Sequence, residues 1–214
     1  MHDAAWRYVA SVADRCSPST AVTVTVVVPS IPPRADMLLR ALGTVAAQTR
    51  PADAISIAVD TGHEGAVVTR NRALAGATTD WLAFLDDDDE LLPNHLEELV
   101  GAAEATGADV VYPNFRCVDR NGSDVQLPPS IASGHPFDAG ALRVRSYIPV
   151  TALARTELVH RVGGFSYPKR GAHYEDWGLW LKMLGADARF HHHPVTTWTW
   201  NHHGANTSGR GDRW

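Results

Sequence analysis

At 214 residues, 44% hydrophobic and 20% charged, the chain is long enough to bury a core and reads as one domain, residues 1–214, of ordinary globular make-up. A net charge of −5 with no basic stripe excludes a general nucleic-acid binder but leaves room for small phosphorylated ligands, which need only local positive charge. Cys16 and Cys117 lack paired spacing, which speaks against a disulfide framework and for a reducing cytoplasm. The N-terminus has no basic n-region, and no apolar run approaches the ~20 residues that span a bilayer, so any membrane contact would be peripheral.

Residues 1–20 form an N-terminal extension in which Trp6, Val9, Ala10 and Ala13 are spaced for a short amphipathic helix. Ala21–Val28 is a β-branched run and the first expected strand, ended by the stiff turn Pro29-Ser30-Ile31-Pro32-Pro33-Arg34. Leu38, Ala41, Leu42 and Val45 recur at helical spacing, and that helix stops before Pro51. Ile55–Val59 reads as a second strand, so strand, helix and strand predict parallel pairing. The loop Thr61–Gly65 leads to a helix over Val67–Ala75 carrying Arg70, Asn71 and Arg72. Trp81–Leu85 is a continuous apolar strand. Pro93 stands where the next helix begins, Leu96, Leu99, Val100 and Ala103 give its apolar face, and Gly107 ends it. Asp109–Tyr112 is a short strand, and residues 113–146 form a loop-rich insert of a length that usually carries function. Strand Tyr147–Ala154, helix Thr156–Arg161 with Gly163-Gly164 as its stop, the amphipathic helix Tyr174–Leu184 and strand Arg189–Trp200 follow. The Gly-, Asn- and Ser-rich residues 204–214 read as a mobile tail.

The chain's chemistry is concentrated where the apolar strand runs into five successive acids, Asp86 to Glu90. Neighbouring carboxylates a few Å apart repel by about 1 kcal/mol per pair in water and roughly 4 kcal/mol at a dielectric of ~20. In an extended chain Asp86 and Asp88 face one point with Asp87 turned aside, and a hard divalent ion at that point turns repulsion into attraction. A solvated acidic turn is the plain competing reading. An EF-hand loop with Asp86, Asp88, Glu90 and Glu97 at positions 1, 3, 5 and 12 fails at position 6, where Leu91 replaces the required glycine. A metal-diphosphate site at the carboxyl end of a strand in an α/β sheet is the sharper alternative. Glu175 and Asp176 lie in the first turn of a helix, where the dipole favours anions, so they are either plain caps or site acids. His191 and His193 share a strand face, but no third ligand stands at zinc spacing.

Eight stretches in order, VTVVVPS (23–30, read with its preceding residue), ALGTVAAQTRP (41–51), ISIAVD (55–60), TRNRALAGAT (69–78), WLAFLDDDDELLPNHLEEL (81–99), VGGF (162–165), YEDWGLWLKM (174–183) and WNHHGANTS (200–208), resemble the inverting glycosyltransferases of family 2. The resemblance implies an α/β fold of the GT-A type, with a mostly parallel, Rossmann-like central sheet flanked by helices. It implies transfer of a sugar from a nucleotide-diphosphate donor (UDP-, GDP- or dTDP-sugar) to an acceptor hydroxyl with Mn²⁺ or Mg²⁺. Asp86-Asp87-Asp88 matches the DXD motif: Asp88 would hold the metal, and Asp86 or Asp87 the ribose or a metal-bound water. Pro29, Ser30 and Asp60 fall where base and ribose are held, and Arg70 where the nucleotide is contacted. Asp176 matches the general base of the "ED" motif with Glu175 in support, and His203 a histidine that reaches the metal or diphosphate. The chain departs from the family pattern at Asp60-Thr61, where two acids are usual, and after Pro29, where Thr-Tyr-Asn-Arg is common.

Two other functions compete. A nucleotidyltransferase on a related fold wants a Gly-rich basic loop after the first strand, where Pro29-Ser30-Ile31-Pro32-Pro33 stands instead. A non-catalytic nucleotide-sugar-binding module has no need of the acids at 86–88 and 175–176.

Overall fold

The β-branched run after residue 22 becomes the spine of a sheet because Val24, Val26, Val27 and Val28 find apolar cover on one face or the other, while buried Thr25 bonds to Thr79. The computed structural model describes residues 7–11, 22–129, 133–168 and 174–203. In chain order the elements are β1 (Arg7–Ser11), β2 (Val24–Ser30), a 3₁₀ turn (Pro32–Arg34), α1 (Ala35–Ala46), β3 (Ala54–Val59), α2 (Ala66–Leu74), β4 (Trp81–Phe84) and β5 (Glu90–Leu91). They continue with α3 (His95–Thr106), β6 (Val110–Asp119), α4 (Ala139–Val144), β7 (Leu153–Arg155), α5 (Thr156–Arg161), α6 (Glu175–Gly185) and β8 (Phe190–His202).

The strands join in one eight-stranded sheet of order β1-β3-β2-β4-β7-β6-β8-β5. The β2–β3, β2–β4 and β6–β8 ladders are parallel, the last running from Val110 to Asp119; β1 pairs antiparallel with β3, and the antiparallel ladders that β7 makes to β4 and β6, and β5 to β8, are short. Alternation along the strands sorts the core into two layers. Val27, Leu82, Phe84, Val110 and Tyr112 face α2, α4, α5 and α6, where Leu74, Leu142, Leu158, Leu179, Trp180 and Met183 are buried. Val24, Val26, Val28, Trp81, Ala83 and Leu85 face α1 and α3 through Ala41, Val45, Leu96, Leu99 and Val100. The mixed, mostly parallel α/β sheet with helices on both faces is the expected class.

Several local expectations change. Residues 7–11 are not helical: they form β1, paired antiparallel with Ala54–Ala58 of β3, because an open sheet edge offers hydrogen bonds that outweigh a weak local spacing. The rest of that proposed helix, like the tail 204–214, lies outside the described residues. The strand expected to end at Tyr112 runs on to Asp119 beside β8, with a register shift around Pro113 and Asn114, where proline has no N–H to donate. The start of the supposed loop insert, 113–119, is therefore strand and Ala139–Val144 is helix, while most of the described residues between them are irregular. Of the strand expected at 147–154 only Leu153 and Ala154 lie in a strand, β7, which runs on to Arg155. Pro93 precedes the helix rather than opening it, since α3 starts at His95, and Gly107 closes α3 in the left-handed region at φ 66°.

Candidate active site

Because β2, β3 and β4 run parallel, their carboxyl ends at Ser30, Val59 and Phe84 open on the same edge of the sheet. The segments that follow them, Ile31–Arg34, Asp60–Gly65 and Asp86–Asp89, therefore converge there, the place where α/β sheets hold ligands. The acids do not stay extended. Asp89 N–H donates to Asp86 O at 3.2 Å, closing a tight turn. The turn brings carboxylate oxygens of Asp86, Asp88 and Asp89 within 4.8 Å of one another, a group that could share one ion. Asp87 points elsewhere: its Oδ2 accepts from Ser30 Oγ at 2.7 Å and from Ile31 N–H at 3.3 Å, and its Oδ1 from Arg34 Nη1 at 3.0 Å.

These are not solvated acids. Asp87, Asp88 and Asp89 are 3%, 8% and 4% exposed. Burial, with the Asp86 charge behind it, pushes the Asp88 carboxyl up to about 7 against the pull of Arg34. Burial and the charges of Asp88 and Asp86 also drive Asp89 well above the carboxylate range. The carboxylates are thus crowded beyond what the neighbouring guanidinium, 2.8 Å from Asp88 Oδ2, offsets. Three converging oxygen donors of this kind suit Mg²⁺, Mn²⁺ or Ca²⁺.

Arg70 ties this turn to a distant helix. Its Nη2 lies 2.7 Å from Asp86 Oδ1, its Nε 3.1 Å from Glu175 Oε1, and its guanidinium 5.5 Å over the Phe165 ring. Burial disfavours the charged guanidinium, yet Asp86 and Glu175 hold its pKa above the ordinary arginine value. Asp176 follows on α6: burial first and the Glu175 charge next raise its carboxyl to about 7, with Arg70 opposing. The start of α6 is fixed by tight packing. Asn71 of α2 receives Phe165 N–H at 2.7 Å and donates to Phe165 O at 2.9 Å, and Gly178 lies so close to Ser166 that a Cβ there would fall 1.6 Å from the Ser166 carbonyl oxygen. Gly164 takes φ 63° against Asn71, where any side chain would be strained.

The last strand closes the site. Asn201 N–H donates to Asp89 Oδ1 at 2.9 Å, Asn201 Nδ2 to Asp88 O at 2.9 Å, and His203 Nε2 stands 3.2 Å from Asp88 Oδ2.

The residues singled out from sequence thus fall into two groups. Ser30, Arg70, Asp86, Asp87, Asp88, Glu175 and His203 are joined by direct contacts, with Asp176 beside Glu175. Asp60 is buried at the end of β3, and its oxygens accept the N–H groups of Gly62, Glu64 and Gly65, so it shapes its own loop. Pro29 lies within β2 opposite Ala58. The histidine run disperses, with His192 bonded to Asn114 and His193 to Glu98. Arg34, Asp89 and Asn201 were missed. Asp89, as the fourth member of an unbroken acid run, and Asn201, inside the stretch WNHHGANTS, carried a visible signal, whereas Arg34 carried none that its neighbours in sequence could supply.

Comparison with known proteins gives the family and the fold. The sequence model described as Glycosyl transferase family 2 matches residues 47–163, more than half of the chain. An uncharacterized glycosyltransferase, YwdF of Bacillus subtilis (strain 168), is 28% identical over 136 residues, which are 62% of this chain and 48% of that protein. The pre-mycofactocin glycosyltransferase of Mycobacterium tuberculosis (strain ATCC 25618 / H37Rv) is 28% identical over 140 residues, 62% of this chain and 29% of that protein. The chain therefore spans about half or less of the length of these curated relatives. Among solved structures, residues 1–349 of S. aureus TarS in complex with UDP-GlcNAc superimpose with a TM-score of 0.66 at 17% identity, covering 86% of this chain and 60% of that one. That likeness establishes the GT-A type of fold. On the family match and the fold together, the chain belongs to glycosyl transferase family 2.

Proposed function

We propose that this chain carries out metal-dependent, inverting transfer of a sugar from a nucleoside-diphosphate donor to an acceptor hydroxyl. The observation that carries the reading is the Arg70 bridge, which brings the acid turn after β4 to the Glu175-Asp176 pair of α6, 105 residues away in sequence. Donor-side and acceptor-side acids then border one site.

Asp176 is the general base. A carboxyl raised to about 7 is matched to taking a proton near neutral pH. As the acceptor oxygen bonds to the anomeric carbon from the far face, its proton passes to Asp176 and the bond to the diphosphate oxygen breaks. A single displacement inverts the centre and needs no protein nucleophile. Glu175, held by Arg70, keeps its charge turned to the guanidinium and supports the base. Asp88, with Asp86 and Asp89 in reach and His203 beside it, would hold Mn²⁺ or Mg²⁺, whose chemistry is Lewis-acid stabilisation of charge on the leaving diphosphate. Asp87, Ser30, Pro29 and the loop shaped by Asp60 border the place for ribose and base. The TarS structures with UDP-GlcNAc and with UDP support a uridine donor as the first candidate, ahead of GDP- and dTDP-sugars.

The test is thermal unfolding with UDP-, GDP- and dTDP-sugars, each with and without Mn²⁺. A donor present at a hundred times its dissociation constant stabilises by about 2.7 kcal/mol. The expected result is a shift with one donor class in the presence of Mn²⁺, lost in Asp88→Ala, together with transfer or slow donor hydrolysis. No shift with any donor would sink the reading, and pyrophosphate release from a nucleoside triphosphate plus a sugar phosphate would point to nucleotidyl transfer.

A further inference from the structure

The end of β8 reaches the acid turn through side chains rather than through the sheet ladder. The antiparallel β5–β8 pairing stops at Glu90 opposite Thr199. Beyond it the main chains are joined by an exchange in which each side holds the other's backbone. Asp89 Oδ1 takes the Asn201 N–H at 2.9 Å, Asn201 Nδ2 donates to Asp88 O at 2.9 Å, and the same Nδ2 lies 3.4 Å from Glu90 Oε1. Two residues further on, His203 Nε2 is 3.2 Å from Asp88 Oδ2. The end of β8 is itself held in the β6 ladder, with Asn201 opposite Val118 and His202 opposite Asp119, so these side-chain ties fasten the acid turn to a fixed strand.

We infer that Asn201 is a positioning residue of the metal site: its side-chain amide holds the Asp88 carbonyl and so fixes the turn that aims the Asp88 carboxylate. The inference rests on the metal-dependent reading above and assigns Asn201 a part in it. Partners that orient ligands in this way are worth about 10–100-fold in metal affinity when removed.

The experiment measures Mn²⁺ binding to the full chain, with and without UDP, by the electron paramagnetic resonance of free Mn²⁺. Asn201→Ala is expected to weaken binding about 10–100-fold. Asn201→Leu, which fills the space without donating, is expected to lose as much, so recovery by leucine would overturn the inference in favour of packing. Both variants are compared at a temperature where circular dichroism matches the unaltered chain. Unchanged Mn²⁺ affinity in folded Asn201→Ala refutes the positioning role alone. An unaltered chain that binds no Mn²⁺ under either condition refutes the metal reading itself, and the positioning role with it.

Discussion

Replacing Arg70 by leucine removes the guanidinium that lies 2.7 Å from Asp86 and 3.1 Å from Glu175 while leaving an apolar stem beside Phe165. Arg70 is only 6% exposed, so water cannot take its place without rearrangement. Breaking a buried ion pair from one side costs about 3–5 kcal/mol, because the charges left behind have lost both solvent and partner. For a chain of this size 1 kcal/mol corresponds to roughly 2–4 °C, so the melting point should fall by roughly 6–20 °C. The pH dependence sharpens the test. The folded Asp176 carboxyl titrates at about 7, above its ordinary value, so its contribution to stability is complete at acid pH and is lost as pH rises through about 7. Across that window the effect approaches about 4 kcal/mol, less where water reaches the carboxyl. Arg70 is one of the groups holding this value down, so without it the carboxyl titrates higher and the loss continues to higher pH. The deficit of Arg70→Leu should therefore be larger at pH 8 than at pH 5.5, as read by thermal unfolding followed by circular dichroism. A melting point within about 2 °C of the unaltered chain, or a deficit independent of pH, would refute the account of Arg70 as the counter-ion shared by the two acid clusters.

Asp176→Asn should keep donor binding, seen as an unchanged thermal shift with nucleotide sugar and Mn²⁺, while turnover falls about 10²–10⁴-fold. In the unaltered chain the base must be ionised, so activity should decline below about pH 7, and near-normal turnover in Asp176→Asn would remove the base assignment. Gly178→Ala places a methyl group 1.6 Å from the Ser166 carbonyl oxygen, a backbone atom that cannot rotate away. It should destabilise by about 3 kcal/mol through displacement of α6, whereas Gly43→Ala, which meets nothing within 4 Å, should leave the melting point unchanged or slightly higher.

The chain by itself determined what short-range pattern can encode. The β-branched and apolar runs at 24–28 and 81–85, the helical spacing of Leu96, Leu99, Val100 and Ala103, and the left-handed stop at Gly107 each depend on residues within a turn or a few strand positions. The acid run and the Glu175-Asp176 pair were visible for the same reason: their chemistry is written in adjacent letters. Tertiary structure decided which polar groups meet. Arg34 finds Asp87 across 53 residues, Arg70 finds Glu175 across 105, and Asn201 finds Asp89 across 112. It also turned residues 7–11 into an edge strand and carried β6 to Asp119, since the hydrogen bonds of a sheet belong to whichever strand lies alongside. A counter-ion or a ladder partner is selected by proximity in space, and no local periodicity records who that neighbour will be.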